Sequence, residues 1–367
     1  MKTRGIVDAR PERIRRTRAR AQALAEGVRE DSVEAVVRRV LAIQAQDATA
    51  ADLGIRVRGR GIGARDVRAA YENERSVVRT WLMRGTLHTV AAEDVRRLLR
   101  LLAPRLLDGT GRRYRELGLD EGLRERADRL IRDALTTHGP LTRQELTDRL
   151  GTLGVPPEGQ ASFHLIRHAA LTGIVCHGPE HAGEATYALL DDWVPAQPDD
   201  SGGESESDLA ELALRYLKSH GPVDTEDFAT WSGLPITWAR KAWKALAWSG
   251  AITDDGVPTG SVDPAADSAA RSSEAPDVRM LPAYDGYLVG YRTRESAVPA
   301  AYEHRVRPGG GLIRPTITVD GLAVATWTRL AGGRTVEVSA FEPLSAVVEA
   351  GIEAERSEVV GFLRPAV

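Results

Sequence analysis

The sequence predicts an α+β fold in which small modules of helices and short β-strands repeat along the chain and are followed by a β-rich segment. Three observations lead to this prediction. A helical motif occurs twice, at residues 138–151 (HGPLTRQELTDRLG) and 220–233 (HGPVDTEDFATWSG). Nearer the N-terminus, two β-prone stretches flank a short turn at residues 83–86. Residues 286–367 contain apolar and alternating runs separated by glycine-containing turns.

Both copies of the motif predict the same order of elements. An apolar helix is followed by a turn, a short helix capped by Thr142 or Asp224, a turn at Gly151 or Gly233, and a longer helix. Short β-prone segments come next, as the wing of a winged helix-turn-helix would. The predicted helices are residues 130–135, 162–172, 209–217 and 235–248, and the predicted wing strands are residues 173–177, 185–189, 251–253 and 278–281.

The N-terminal third predicts a third, divergent copy of this module. Ser32 is a helix cap, and the apolar residues that follow it recur at helical spacing, which predicts an amphipathic helix over residues 32–43. Residues 77–82 and 87–90 predict a hairpin wing, and residues 92–107 predict another amphipathic helix.

The C-terminal segment differs from the three modules because it predicts a small β-sheet closed by a helix at residues 345–362. Its predicted strands are residues 287–291, 313–319, 322–328 and 335–339, with turns at residues 320–321 and 332–333. Two polar stretches, residues 195–208 and 253–277, predict a linker and a long loop.

We therefore expect three tandem winged helix-turn-helix modules and a C-terminal β-rich domain. The predicted boundaries are residues 1–125, 126–198 and 206–285 for the modules and residues 286–367 for the last domain.

The charge distribution is polarised although the net charge is only −3. Arginines crowd residues 10–20 and 96–115, whereas acidic residues collect at residues 199–208 and 254–277. A basic face can coexist with acidic loops, and winged helices with such a face predict binding to duplex DNA. A purely solvated arginine surface is the alternative for any single position.

Several other classes of protein are disfavoured by the sequence. The apolar run at residues 98–107 is broken by arginine, and residues 1–4 lead into no apolar signal segment, so we expect a cytoplasmic protein without membrane contact. Cys176 is the single cysteine, which excludes an internal disulfide or a cysteine-built zinc site. His164 and His168 have helical ligand spacing but no supporting carboxylate, so we expect no metal and no cofactor.

The segment at residues 42–47 (AIQAQD) presents two carboxamides. If the preceding helix continues through it, Gln44 lies on the apolar stripe, where an unpartnered amide costs about 1–3 kcal/mol. If the chain is extended there, Gln44 and Gln46 lie on one side while Ile43 and Ala45 lie on the other. Helix capping and local hydrogen bonding are the structural alternative to a catalytic role.

Five segments, taken in order, resemble the AlkZ/YcaQ-type winged-helix DNA glycosylases over nearly the whole chain. They are IQAQ at residues 43–46, RTWLMRGTLH at 79–88, the paired HGP turns, LPAYDGYLVG at 281–290 and VDG at 319–321. The resemblance implies three tandem winged helices that form a concave basic cleft for duplex DNA. It also implies a catalytic Gln–apolar–Gln pair, here Gln44 and Gln46, which points to the AlkZ-like branch.

That branch excises N-alkylated purines, bulky adducts and interstrand crosslinks among them, so the resemblance implies a monofunctional alkylpurine glycosylase acting as a monomer on alkylated double-stranded DNA. It further implies a hairpin that probes the duplex, for which we select Arg305, Arg307, Gly309, Gly310, Gly311 and Arg314. On the first wing we place Arg84 and His88 at the DNA, and we give Asp47 a lesser helping role.

Two other functions fit the same architecture. A non-catalytic winged-helix regulator should form a symmetric dimer on a palindromic site, which tandem modules in one chain make unnecessary. A DNA-binding protein that kept the fold but lost catalysis should bind duplexes saturably without releasing a base.

Overall fold

The computed structural model describes residues 10–194, 206–252, 275–330 and 335–364. It confirms the predicted α+β class, because the described residues combine helices with three small sheets. The strand pairs with a defined register in these sheets are antiparallel. Contacts divide the chain into two compact units. Unit 1 comprises Met1–Ile43, Asp47–Arg65 and Ala210–Val367, and unit 2 comprises Gln44–Gln46 and Asp66–Leu209.

The N-terminal part of unit 1 contains three helices, α1 (Arg10–Ala21), α2 (Val33–Val40) and α3 (Ala48–Arg56). Strand β1 (Ile43–Gln44) comes between α2 and α3 in the chain. Ser32 caps α2, as predicted, by accepting from Ala35 N at 3.1 Å. The helix ends at Val40 rather than at residue 43, because Leu41 adopts a positive φ of 70° that no α-helix can continue through.

Helix α4 (Ala64–Glu72) leads into unit 2, where a hairpin and five described helices, α5 to α9, follow. The hairpin consists of β2 (Val77–Trp81) and β3 (Leu87–Ala91), paired antiparallel with Thr80 opposite His88, and β3 lies between β1 and β2 in its sheet. The remaining elements are α5 (Val95–Glu116), α6 (Glu121–His138), β4 (Leu141–Thr142), α7 (Arg143–Leu150), α8 (Ala161–Leu171), β5 (Val175–His177), β6 (Thr186–Leu189) and α9 (Leu190–Trp193).

The first copy of the repeat, residues 121–189, follows the predicted order of elements. Thr142 caps α7 in a capping box with Glu145. Helix α8 and the antiparallel pair β5–β6 match the predicted longer helix and hairpin within one or two residues, and β6 lies between β4 and β5.

Unit 1 resumes with the second copy of the repeat and the C-terminal sheet. Its elements are α10 (Glu206–His220), α11 (Thr225–Ser232), α12 (Ile236–Trp248), β7 (Val278–Leu281), α13 (Gly286–Val289), α14 (Glu303–Val306), β8 (Thr316–Val319), β9 (Leu322–Leu330), β10 (Thr335–Ala340) and α15 (Ala346–Phe362). Asp224 caps α11, and Gly233 ends it with φ 75°, as the sequence predicts.

Two strand predictions in this part of the chain are wrong. Residues 278–281 are no wing of the second copy, because β7 pairs with β8 at one edge of the sheet β10-β9-β8-β7. Residues 287–291 form no strand, because the Asp285 carboxylate accepts from Tyr287 N at 2.9 Å and starts α13 instead. Of the other predicted wing, residue 253 lies outside the described residues, as do most of the predicted linker and loop and the turn at 332–333.

Two buried arginines hold α3 in unit 1. Arg56 donates to Glu355 of α15 at 2.8 Å, and Arg58 donates twice to Asp285, at 2.7 and 2.8 Å. Breaking one partner of such a pair leaves a buried charge and costs about 3–5 kcal/mol. Helix α3, which begins at Ala48, is therefore anchored at its C-terminal end.

Candidate active site

The two glutamines lie on an extended segment, so the second of the two conformations expected from the sequence is the one adopted. Ile43 and Ala45 are buried, whereas Gln44 is partly exposed and Gln46 is exposed. Ala45 N donates to Leu87 O of β3 at 2.7 Å, which ties the segment to the hairpin. The alternation of an extended chain therefore presents both carboxamides on the same side.

The carboxamides form a directed chain of hydrogen bonds with Arg84. Arg84 Nη2 donates to Gln44 Oε1 at 3.3 Å, and Gln44 Nε2 donates to Gln46 Oε1 at 2.9 Å. A guanidinium can only donate, so Gln44 must turn its oxygen toward Arg84 and its nitrogen toward Gln46. Among the described residues, the Gln46 amide makes no other hydrogen bond. One lone pair of its oxygen and both N–H groups remain available to a ligand.

The turn between β2 and β3 determines where Arg84 lies. Arg84 has φ 56° and Gly85 has φ 71°, and the turn is closed by Leu82 N donating to Thr86 O at 3.0 Å. A left-handed conformation at a non-glycine residue costs about 1–2 kcal/mol. The hairpin bears this strain while it holds the guanidinium at the amide pair.

His88 is buried on β3 with 2% of its surface exposed. Burial, and after it the charge of Arg84, lowers the pKa of His88 to about 3. Its Nδ1 lies 3.0 Å from Thr86 O and must donate to that carbonyl, which leaves Nε2 as an acceptor. The ring is therefore neutral, and the phosphate contact expected for it would require the ring to become exposed.

Asp47 follows Gln46 in the chain and already has two partners within unit 1. One carboxylate oxygen accepts from Ala50 N at 3.0 Å and so caps α3, while the other pairs with Arg329 at 3.3 Å. These contacts give Asp47 a structural role at the start of α3.

The glycine turn expected to probe DNA lies in unit 1, and its residues fall into two groups. Gly309, Gly310 and Gly311 all have positive φ, and a bridge between Gly309 and Leu312 closes the turn. These glycines are exposed, together with Arg307 and Arg314. Arg305 is instead engaged, since it donates to Ser339 Oγ at 2.7 Å and its guanidinium lies 4.8 Å from the centre of the Phe341 ring.

Two further histidines of unit 2, His168 and His177, have structural surroundings. His168 Nδ1 lies 3.2 Å from an Asp128 oxygen, and burial lowers the pKa of His177, packed beside Tyr187, to about 3. Among the described residues, no group of three or more His, Cys, Asp or Glu side chains is arranged to hold a metal ion. None of the described helices is long and apolar enough to cross a membrane.

Sequence reasoning missed the contact between Arg84 and Gln44, which joins residues 40 positions apart. The sequence led us to expect Arg84 at the DNA, but it gave no sign that Arg84 binds the side chain of Gln44, a catalytic candidate. The only signal in the sequence was the position of Arg84 in the tight turn before Gly85.

Comparisons with known proteins agree with one another. A profile of the DNA glycosylase AlkZ-like family matches residues 37–362. An interstrand DNA cross-link repair glycosylase of Streptomyces sahachiroi is 28% identical over 319 residues, which cover 81% of this chain and 82% of that protein. The solved structure of the Streptomyces sahachiroi DNA glycosylase AlkZ superposes with a TM-score of 0.76, at 24% identity over 96% of each chain. Because the family profile extends over most of its length, this chain belongs to the AlkZ-like family of DNA glycosylases.

Proposed function

We propose that this DNA glycosylase is monofunctional and hydrolyses the N-glycosidic bond of N7- and N3-alkylated purines in duplex DNA, with Gln44 and Gln46 positioning the water. The observation that carries the proposal is the pair of hydrogen-bonded amides whose orientation Arg84 fixes. Each of these residues lies in unit 2.

The chemistry of alkylated purines suits a site without a strong base. Alkylation at N7 or N3 makes the purine cationic, so the base leaves with the electron pair of the glycosidic bond and needs no proton. Water then adds to C1′ of the oxocarbenium-like sugar and gives up its proton to solvent. Carboxamide oxygens orient that water and place partial negative charge near the developing cation.

The lysine distribution supports the monofunctional assignment. A glycosylase that also cleaves the strand needs an amine nucleophile to form a Schiff base. The unit that carries the amide pair, residues 44–46 and 66–209, contains no lysine. The residues of unit 2 therefore support hydrolysis by water rather than strand cleavage through a Schiff base.

The two glutamines take different roles in this proposal. The Gln44 oxygen accepts from Arg84 and one Gln44 N–H donates to Gln46, so Gln44 acts as a positioning residue. Gln46 retains an oxygen lone pair and its N–H groups, so it is the residue that contacts the water. Arg84 keeps the chain of hydrogen bonds pointing in one direction.

The predicted architecture supports contact with duplex DNA. The order helix, strand, helix, helix and hairpin in residues 121–189 is that of a winged helix, and α5 carries a row of arginines. We propose three such modules, residues 1–125, 126–198 and 206–285, that form a basic cleft, with residues 286–367 supplying the probing turn. We expect the protein to act as a monomer on chromosomal DNA in the cytoplasm.

The substrate range extends in our proposal to bulky adducts and interstrand crosslinks. A relative of 28% identity is an interstrand DNA cross-link repair glycosylase, which supports this extension. The exposed Gly309–Gly311 turn, with Arg307 and Arg314 beside it, supports a probing role. Deleting the three glycines should impair base release more than duplex binding, and equal loss of both would contradict that role.

Single-turnover release of 7-methylguanine from a defined duplex tests the proposal. We expect Gln46→Ala and Gln44→Ala to lower the rate at least about a hundredfold while duplex affinity holds. Gln144→Ala is the matched control, because Gln144 is an exposed glutamine of unit 2 bonded to Asp148. If the wild type releases no base from this duplex, from bulkier N7 or N3 adducts or from crosslinks, the chain is a DNA-binding protein without this activity.

Arg84 variants test the direction of the hydrogen-bond chain. Arg84→Met removes the donor that fixes the Gln44 amide, so we expect about a tenfold slower single-turnover rate. Arg84→Lys keeps a group that can only donate, so it should recover part of the loss. Equal rates for the Met and Lys variants would contradict a fixed amide orientation.

A further inference from the structure

Arg167 lies beside the hairpin turn of unit 2 and belongs to α8. Its Nη1 donates to Thr110 Oγ1 of α5 at 3.1 Å. A Cβ placed on Gly85 would lie 2.7 Å from Arg167 Nη2, so the guanidinium rests directly against the turn. Arg167 therefore connects α5 to the segment that also carries Arg84.

The charge of Arg167 has no counterion among the described residues. No carboxylate lies within ion-pair distance, and the bond to Thr110 uses one of five N–H groups. Burial lowers the pKa of Arg167, which means that the protein holds a partly desolvated cation without a negative partner. This is unusual, because buried charges are normally paired.

A second guanidinium and two polar side chains without a partner lie near Arg167. His164, one turn earlier on α8, feels the charges of Arg167 and Arg113, which together with burial lower its pKa. Its Nδ1 is buried without a partner, and so is the Tyr114 hydroxyl on α5. Arg113 itself divides its contacts between Glu116 and Gln160. An anion would supply the negative partner that Arg167 lacks among the described residues and could accept from the Tyr114 hydroxyl.

We propose that Arg167, flanked by Arg113, binds one backbone phosphodiester of the DNA strand beside the hairpin turn that presents Arg84. This inference rests on the proposed function, since it takes duplex DNA as the ligand. It names a contact that acts without regard to base sequence, as guanidinium–phosphate contacts do. A phosphate held against Gly85 would fix the strand next to the residue that orients the amide pair.

The salt dependence of binding to an undamaged duplex tests this site. Each phosphate contact contributes about −0.9 to the slope of log K against log salt concentration. We expect Arg167→Gln to make the slope shallower by about 0.9 and to weaken binding equally for duplexes of different sequence. Arg60→Gln is the control, because Arg60 is exposed, lies outside the arginine-rich stretches at residues 10–20 and 96–115, and is paired with Asp31 at 2.7 Å. An unchanged slope for Arg167→Gln, or an equal change for Arg60→Gln, would overturn the site.

A second variant separates phosphate binding from packing. Arg167→Lys keeps the charge but loses the planar fit between Thr110 and Gly85, so a phosphate site should retain most of the slope with weaker binding. A purely structural arginine would make the Lys and Gln variants alike in slope, and this outcome would also overturn the proposal. Thermal unfolding of both variants shows whether either fails to fold.

Base release from the alkylated duplex distinguishes the two proposals. Release by the wild type together with an unchanged slope in Arg167→Gln would leave the enzyme assignment standing and remove the phosphate site. Binding with the expected change in slope, but without release from any alkylated duplex, would keep the site and remove the proposed reaction.

Discussion

The two copies of the repeat share a sequence pattern but differ in what surrounds it. In the first copy His138 is the last residue of α6 and is exposed, whereas in the second His220 is the last residue of α10 and only 1% exposed. Burial, and after it the charges of Arg58 and Arg18, lowers the pKa of His220 to about 3. The repeat therefore predicts the course of the backbone but not the role of the histidine.

Aromatic side chains enclose the second copy. The His220 ring stacks on Tyr216 at 4.6 Å, and the Tyr291 hydroxyl donates to His220 O at 3.0 Å. The hydroxyl of Ser219 donates to Tyr216 O and so accepts from His220 Nδ1 at 2.7 Å. In the first copy, α8 keeps Arg167 without a counterion among the described residues. The histidine of the second copy is therefore part of a packed aromatic core. The first copy instead carries the arginine that we propose to bind a phosphate.

The largest expected difference between the two copies is the loss of stability when the histidine of the HGP turn is replaced by a charged residue. His220→Lys places an ammonium among aromatic rings, so we expect a loss of at least about 5 kcal/mol in the free energy of unfolding. His138→Lys changes an exposed residue and should shift stability by less than about 0.5 kcal/mol. Urea unfolding measures both, and similar losses in the two variants would break the comparison.

The pH dependence of stability should separate the copies next. The folded state keeps His220 neutral, with its pKa lowered from 6.5 to about 3, so the unfolded chain binds the extra proton between these values. The free energy of unfolding therefore falls as the pH falls through this window, by about 4 kcal/mol for three pH units.

Replacing His220 by Gln should remove this contribution. Unfolding midpoints of the wild type, His220→Gln and His138→Gln between pH 7 and 4 measure the effect. His138→Gln should leave the wild-type slope unchanged. An unchanged slope in His220→Gln would show that His220 is not the titrating group.

A smaller effect concerns the ligand side of the first copy. Gly85→Ala requires a side chain at φ 71° and a displacement of Arg167, so we expect a loss of about 1–2 kcal/mol in stability. We also expect base release to slow several-fold, because the turn carries Arg84 and faces Arg167. Gly118→Ala is the control, because Gly118 has a similar φ of 69° but nothing within 4 Å of a Cβ. Equal slowing in both variants would mean that backbone strain alone is responsible.

The smallest effect is an opposite pH trend at matching positions of the repeat. Glu145 in the first copy has its pKa lowered by hydrogen bonds from Thr142, so its contribution to stability is present at neutral pH and is lost as the pH falls. Asp227 in the second copy has its pKa raised by burial, so folding favours its protonated form and stability falls as the pH rises through the raised pKa.

Thermal unfolding of Glu145→Gln and Asp227→Asn between pH 3 and 6 measures the two trends. The difference from the wild type should grow with pH for Glu145→Gln and shrink with pH for Asp227→Asn. If the two stability differences changed with pH in the same direction, Glu145 could not be the exposed carboxylate while Asp227 is the buried one.

Local signals in the sequence predicted much of the fold. The caps at Ser32, Thr142 and Asp224 and the turn at Gly233 start or end helices where they were expected. The strand expected at residues 287–291 failed because its apolar pattern fits either element, and the choice depends on the Asp285 carboxylate. That carboxylate is held in turn by Arg58, 227 residues earlier in the chain.

The residues of the candidate site could be predicted from the sequence, but the hydrogen bonds between them could not. The spacing of Gln44 and Gln46 predicted a shared side only for an extended chain, and the choice depended on Leu41, a residue type that rarely adopts positive φ. The partners of Arg84 and Arg167 come from other elements of unit 2. No local pattern encodes such contacts, because tertiary packing creates them.

The exposure of Gln46 has a consequence for how this enzyme can evolve. Its side chain makes one hydrogen bond and is exposed, so replacing it disturbs little packing. Glutamine and glutamate codons differ by a single nucleotide, and a glutamate there would still accept from Gln44 while acting as a general base. Activating the water would not by itself release a purine that carries no alkyl group, because an uncharged base also needs a proton in order to leave. If Gln46 positions the water as proposed, selection must hold this position more tightly than its few contacts suggest.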